Sequence, residues 1–197
     1  MLAILWRVTN LADQGTEGLL SPFLRKKRIN AIKPYLKGRV LDVGCGSGRL
    51  ASYIDSNNYL GVDIDTNSIN IARKLFPGHT FQQELPSSNL IFDTVIALAV
   101  IEHVKEPCNF LKKLAELIDD NGEIICTTPH PSVDWIHDIG SAIGLFSSHA
   151  NEEHEELLNK KKLKNASECA GLTMTHYGRF LLHANQIAVF RAPRIIQ

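Results

Sequence analysis

Val40-Leu41-Asp42-Val43-Gly44-Cys45-Gly46-Ser47-Gly48-Arg49-Leu50 is the stretch on which the reading of this chain turns. An apolar run ends in an acidic residue, three glycines follow at alternate positions, and Arg49 to about Ser56 reads as a helix. The pattern predicts a strand, a tight loop and a helix, with a charge at the loop entrance. Glycine accepts positive φ and, lacking Cβ, lets a ligand approach the backbone. Such a loop lies at the carboxyl end of a strand, where open α/β sheets bind ligands. A dinucleotide loop has the spacing G-x-G-x-x-G. Here the spacing is G-x-G-x-G, with Asp42 two residues before the first glycine. A buried carboxylate would repel a pyrophosphate and attract a cationic ligand.

Outward from the loop, apolar segments alternate with helical patterns. Tyr59–Asp63 reads as a second buried strand that also ends in a carboxylate, and an acidic side chain there can accept hydrogen bonds from ribose hydroxyls. Thr66 is the expected cap of a helix over Asn67–Phe76, closed by Pro77-Gly78. His79–Gln82 is a short third strand, and Leu90–Val100 is nearly all apolar past Asp93, as a central parallel strand is. Ile101-Glu102-His103-Val104 follows at its carboxyl end. Pro107 opens a helix with Phe110, Leu111, Leu114, Leu117 and Ile118 as its buried stripe, and Asp119–Gly122 turns into a fifth strand over Glu123–Thr128. Leu172–Phe180 and Asn185–Arg191 read as a hairpin. Alternating strands and helices require a parallel sheet with right-handed crossovers. Upstream, Ser21-Pro22 starts a helix with Phe23, Ile29, Ile32 and Leu36 on one side, ended by Gly38.

Two of these phrases carry a family resemblance. Val40–Gly48 resembles the first motif of class I S-adenosylmethionine-dependent methyltransferases. The phrase from Leu90 to Val104, at the right distance and in the right order, resembles the fourth-strand motif of the subset that includes quinone-biosynthesis enzymes. The resemblance covers roughly residues 38–192. It implies a Rossmann-like α/β fold with a mostly parallel seven-stranded sheet, an antiparallel C-terminal hairpin and helices on both faces. It implies S-adenosylmethionine as cofactor, held by Asp42, Gly44, Cys45, Gly46 and Gly48, by Asp63 and Ile64 after the second strand, by Glu84, and by Ala99. Glu84 stands where the family often has an aspartate near the adenine, and here the segment is Gln82-Gln83-Glu84-Leu85-Pro86.

Composition bounds the rest. The 197 residues suit a single domain with a sizeable core: an N-terminal segment over 1–37, with residues 1–20 a candidate lid, and a core over 38–192. A formal net charge of zero gives no bulk attraction for nucleic acid, so DNA is not an expected partner. The Arg25–Arg28 and Lys160–Lys162 runs read as solvated faces. The four cysteines are scattered among apolar or small neighbours, as reduced cysteines are, which fits a cytoplasmic protein. The N-terminal apolar run is cut by Arg7, far short of a membrane span.

Methyl transfer needs alignment above all, and a base only where the nucleophile is protonated. His103 and Glu102 are the first base candidates, then His130 in its Pro-flanked turn. Residues 129–150, with Trp135, His137 and His149, form an expected substrate wall. His130, His137, His149 and His154 share one region, in spacings that match no standard zinc pattern, so no metal is expected. The expected activity is methylation of O or N on a small-molecule acceptor. The alternatives are a non-catalytic cofactor-binding module and, less favoured, an NAD-dependent oxidoreductase.

Overall fold

In the computed structural model, residues 21–131 and 158–193 are described. Seven strands form one sheet: β1 (Val40–Val43), β2 (Tyr59–Val62), β3 (Thr80–Gln82), β4 (Phe92–Leu98), β5 (Ile118–Pro129), β6 (Thr173–Phe180) and β7 (Asn185–Arg191). Their spatial order is β3-β2-β1-β4-β5-β7-β6. Neighbours are parallel from β3 to β5, and β7 runs antiparallel to both β5 and β6. The expected architecture is therefore present, hairpin included. Chain order reverses between β1 and β4, so the crevice at their carboxyl ends is where such sheets hold ligands.

Alternation along the strands sorts the apolar residues into two layers. Leu41, Val43, Val95, Ala97, Ile124 and Cys126 face one way and pack with Phe110, Leu111 and Leu114 of α3 (Pro107–Ala115) and Leu163 of α4 (Lys160–Cys169). Val40, Tyr59, Ile96 and Ile125 face the other way, with Ile29 and Ile32 of α1 (Ser21–Ile32) and Ile69 and Ala72 of α2 (Thr66–Leu75). Strands covered on both faces are apolar throughout, which is why β1 and β4 read so plainly in the sequence.

Several local expectations are corrected. The segment after the glycine loop is not an α-helix. It forms two short 3-10 turns, Arg49–Tyr53 and Ser56–Asn58. The cap of α2 is Asp65, not Thr66: its carboxylate accepts from the Asn67 and Ser68 amides, and Thr66 is the first helical residue. The helix opening at Ser21 ends at Ile32, followed by a 3-10 turn over Lys33–Tyr35, and Phe23 is exposed. Asp119–Gly122 does not separate α3 from β5. It lies inside β5 as an irregularity, since Phe92 faces Ile118 while Thr94 faces Glu123.

The reduced state expected of all four cysteines does not hold either. Cys108 at the start of α3 and Cys169 at the end of α4 form a disulfide, while Cys45 and Cys126 are free. Packing of the two helices brings together residues 61 positions apart, with Cα atoms 5.7 Å apart. Linear spacing carries no sign of that. The bridge removes the argument from cysteine usage for a reducing compartment. The Lys160–Lys162 run opens α4, on which Lys164 pairs with Glu168 at 3.5 Å.

Candidate active site

The glycine loop leaves β1 and turns at once toward β2. The Gly44 and Cys45 amides both donate to Val62 O, at 2.8 and 3.0 Å. Gly44 has φ 71° and packs on Val100, so a side chain there would collide with the segment that follows β4. At Gly46 an added Cβ would meet nothing within 4 Å among the described residues, so they leave the loop backbone open on that side.

Asp63 ties this loop to the next one. Its Oδ2 accepts from Gly46 N at 2.8 Å and its Oδ1 from Asp65 N at 2.9 Å. An ionised carboxylate has about four acceptor positions, so two remain for hydroxyls of a ligand. Ile64 lies in the same turn, where Gln83 Nε2 reaches both Ile64 O (3.3 Å) and Thr66 Oγ1 (2.7 Å). Sequence reasoning gave Gln83 no role, although it joins the β3 end to the Asp63 turn. Glu84 is exposed, and with Gln82, Gln83, Leu85 and Pro86 it lines an open recess of about 530 Å³.

Asp42 is only 2% exposed, and Tyr59 OH donates to its Oδ2 at 2.8 Å. Burial pushes its pKa up to about 7, the Tyr59 hydrogen bond works against that rise, and the Asp63 charge adds to it. Cys45, half-buried beside both carboxylates, has its thiol pKa raised by burial and by their charges, so it stays protonated.

The segment after β4 faces the loop. Ala99 takes φ 56°, uncommon for a residue with a side chain, and its amide donates to Thr127 O at 2.8 Å. Glu102 and His103 follow in a 3-10 turn over Ile101–His103. Glu102 is buried, and its Oε2 has no hydrogen-bond partner of good geometry among the described residues, although the Thr128 side chain lies near enough to lower its pKa. Burial raises its pKa, and the charges of His103 and Arg28 oppose the rise. Arg28 thus departs from the solvated face expected of the Arg25–Arg28 run: its Nε donates to Asn185 Oδ1 at 3.0 Å, and its charge acts on Glu102. Only the packing of α1 over the sheet edge reveals this.

His130 sits at the carboxyl end of β5, its amide bonded to Ala184 O at 2.9 Å. The Arg179 guanidinium lies against its ring, with Nη2 2.6 Å from Nδ1. Burial, Arg179 and His183 lower its pKa, so the imidazole is neutral near pH 7. The β6–β7 turn beside it holds Leu181, Leu182 and His183 all at positive φ, which no sequence signal announced. Trp135, His137, His149 and His154 lie outside the described residues, as does the candidate lid over 1–20. Among the described residues no helix is long and apolar enough to cross a membrane.

A mostly parallel sheet with a glycine loop at its switch point, one carboxylate in β1 and another just after β2, is the arrangement of a nucleoside-cofactor-binding α/β protein. Comparison with known proteins makes this specific. The model of a methyltransferase domain family matches residues 19–177. The chain belongs to that family, the class I S-adenosylmethionine-dependent methyltransferases. A ubiquinone biosynthesis O-methyltransferase of Cereibacter sphaeroides is 29% identical over 126 residues, which is 59% of this chain and 50% of that protein. The chain thus spans about half the length of the curated relatives it matches. Among solved structures, the magnesium protoporphyrin IX methyltransferase of Synechocystis, with bound S-adenosylhomocysteine, has TM-score 0.65 at 19% identity and covers 91% and 90% of the two chains. A Pyrococcus horikoshii protein has TM-score 0.68 at 17% identity, covering 86% and 92%. At those identities the structures speak for the fold alone.

The residues present fit the cofactor. A sulfonium and an ammonium group are cations, and Asp42 is a carboxylate whose burial leaves it in need of one. Asp63 keeps acceptor capacity for hydroxyls, and Gly46 leaves room against the loop.

Proposed function

We propose that this chain methylates an oxygen of a small-molecule acceptor, with Glu102 as the base that takes the hydroxyl proton. The observation that carries this is the buried Glu102 carboxyl, with an unpartnered Oε2, in the turn that follows β4. The names of the relatives favour oxygen over nitrogen as the accepting atom. When bound, S-adenosylmethionine supplies an activated methyl group. The chain has to align the acceptor and manage its proton.

In this reading Asp42, the loop from Gly44 to Gly48 (Cys45 and Gly46 included), Asp63, Ile64, Glu84 and Ala99 surround the cofactor. Burial raises the Glu102 pKa toward the range in which a carboxylate is an effective base, and Arg28 with His103 keeps it ionisable. His103 is adjacent and can pass the proton onward. His130 is the weaker base, because the Arg179 guanidinium lies at its ring nitrogens. The whole chain acts as one catalytic domain, with residues 129–150 as the acceptor wall.

The test is transfer of a labelled methyl group to a panel of phenols, other hydroxy compounds and amines. Glu102→Gln should lower kcat by about a hundredfold or more on the productive acceptor. Its affinity for S-adenosylhomocysteine should match that of the wild type. Unchanged kcat would remove Glu102 from the chemistry. Cofactor binding with transfer to no acceptor would favour a binding module.

A further inference from the structure

We infer that Tyr59 is a positioning residue for the cofactor: its hydroxyl fixes the Asp42 carboxylate in orientation and favours its charged form, so that one oxygen stays available to a ligand cation. The inference rests on the reading of Asp42 as the partner of that cation. In the parallel pairing of β1 with β2, Val40 lies opposite Tyr59 and Asp42 opposite Gly61. Side chains alternate along a strand, so Tyr59 and Asp42 point to the same face, one step apart diagonally. The position directly opposite Asp42 has no side chain. A Cβ at Gly61 would come 2.6 Å from Phe81 Cδ1 and 3.0 Å from Cys45 Sγ.

The phenol is held from both sides. Its ring meets Phe81 edge-on, with centroids 5.6 Å apart, and His79 at 5.5 Å. His79 is anchored in turn by Nε2 pairing with Ile54 O at 3.0 Å. Tyr59 is 4% exposed, so water does not compete for the 2.8 Å bond to Asp42 Oδ2. A single donor on a buried carboxylate has two effects. It pins the plane of the group, and it favours the charged form against the cost of burial.

Among the described residues, few groups face Asp42. β2 brings Tyr59 and, at its end, Asp63, whose charge disfavours ionisation of Asp42. The glycine loop brings the protonated Cys45 thiol, and β4 places the apolar Ile96 opposite. Tyr59 itself stays protonated, because burial and the Asp42 charge both raise its pKa. It is therefore a permanent donor across the working pH range.

The experiment is calorimetric titration with S-adenosylhomocysteine from pH 5.5 to 8.5, for the wild type, Tyr59→Phe, Asp42→Asn and the double variant. Taking the ratio of affinities, variant over wild type, at each pH cancels the titration of the ligand's own amino group. For Tyr59→Phe the Asp42 pKa should rise above its present value of about 7. The ratio should then fall to about one-tenth near pH 6.5 and recover toward pH 8.5, one pKa unit being a tenfold effect. A ratio that is lowered but flat with pH would make Tyr59 a packing residue and overturn the inference. In the Asp42→Asn background, adding Tyr59→Phe should change affinity by less than about twofold at every pH, as expected of residues acting through one interaction. Independent, additive losses would also overturn it. If Asp42→Asn binds as the wild type does, the underlying assignment of Asp42 has failed, which is a separate outcome. Thermal melts of each variant establish that folded protein is compared.

Discussion

Asp42 and Asp63 are both acidic residues at the tip of a parallel strand, yet they sit in opposite environments. Asp42 is desolvated and takes one side-chain donor, whereas Asp63 is partly exposed and takes two backbone donors. In the proposed reading the first would meet a cation and the second hydroxyls, at different ends of one cofactor. Asp63→Ala should weaken S-adenosylmethionine binding about ten- to a hundredfold, the range for hydrogen bonds to a charged group. Part of that loss would come from releasing Gly46 N. Asp63→Asn, which keeps an acceptor oxygen, should lose less. Equal affinity of Asp63→Ala and the wild type in calorimetry would remove Asp63 from the cofactor site.

Among the elements, the Cys108–Cys169 bridge stands out because of what it encloses. It joins the start of α3 to the end of α4, and the chain between them contains β5 and the whole segment expected as the acceptor wall. Closing a loop of this size constrains the unfolded chain. For the separation of 61 residues the chain-entropy relation gives about 4 kcal/mol. Cys108→Ser, or reduction of the wild type, should therefore lower Tm markedly, and Cys108→Ser should abolish any further effect of reductant. A melt that does not respond to reductant would mean the bridge does not form in solution. The bridge was illegible in the sequence because pairing depends on helix packing. The same is true of Arg28, which reads as one of four surface cations until α1 lies across the sheet edge and turns it toward Asn185 and Glu102.

For the whole molecule, the raised carboxyl pKa values set the direction of pH dependence. Asp42 has its pKa raised by burial to about 7 in the folded state, against an ordinary value of 3.8. Between those values the folded protein binds more protons than the unfolded chain, so stability falls as pH rises. Glu102, also raised by burial, acts in the same direction. Asp65 behaves oppositely. Burial pulls its pKa up, but the Ser68 and Asn67 amides outweigh that and hold it low, so its contribution is lost only in acid as pH falls through its folded value. The ligand-free protein should therefore be more stable near pH 5 than near pH 8. Asp42→Asn should flatten that slope, and saturating cofactor should reduce it by pairing the carboxylate with a cation. Tm across this range, with and without S-adenosylhomocysteine, checks the sign. A rise in ligand-free stability from pH 5 to pH 8 would contradict it.

The sequence by itself determined the sheet, because parallel strands buried on both faces must be apolar and must be joined by crossovers. It also placed Gly44, Gly46, Gly48, Asp42 and Asp63 together as a candidate cofactor edge, because they lie along two strand–turn units, where local order is spatial order. Helix ends were less legible. Asp65, Thr66 and Asn67 can all cap, and only the backbone geometry selected Asp65. The tertiary structure alone decided the contacts between distant segments: Tyr59 on Asp42, Arg28 beside Glu102, Arg179 on His130, and Cys108 bonded to Cys169. Each depends on how far elements slide and which face they turn inward. That is settled by packing the core, and no spacing along the chain encodes it.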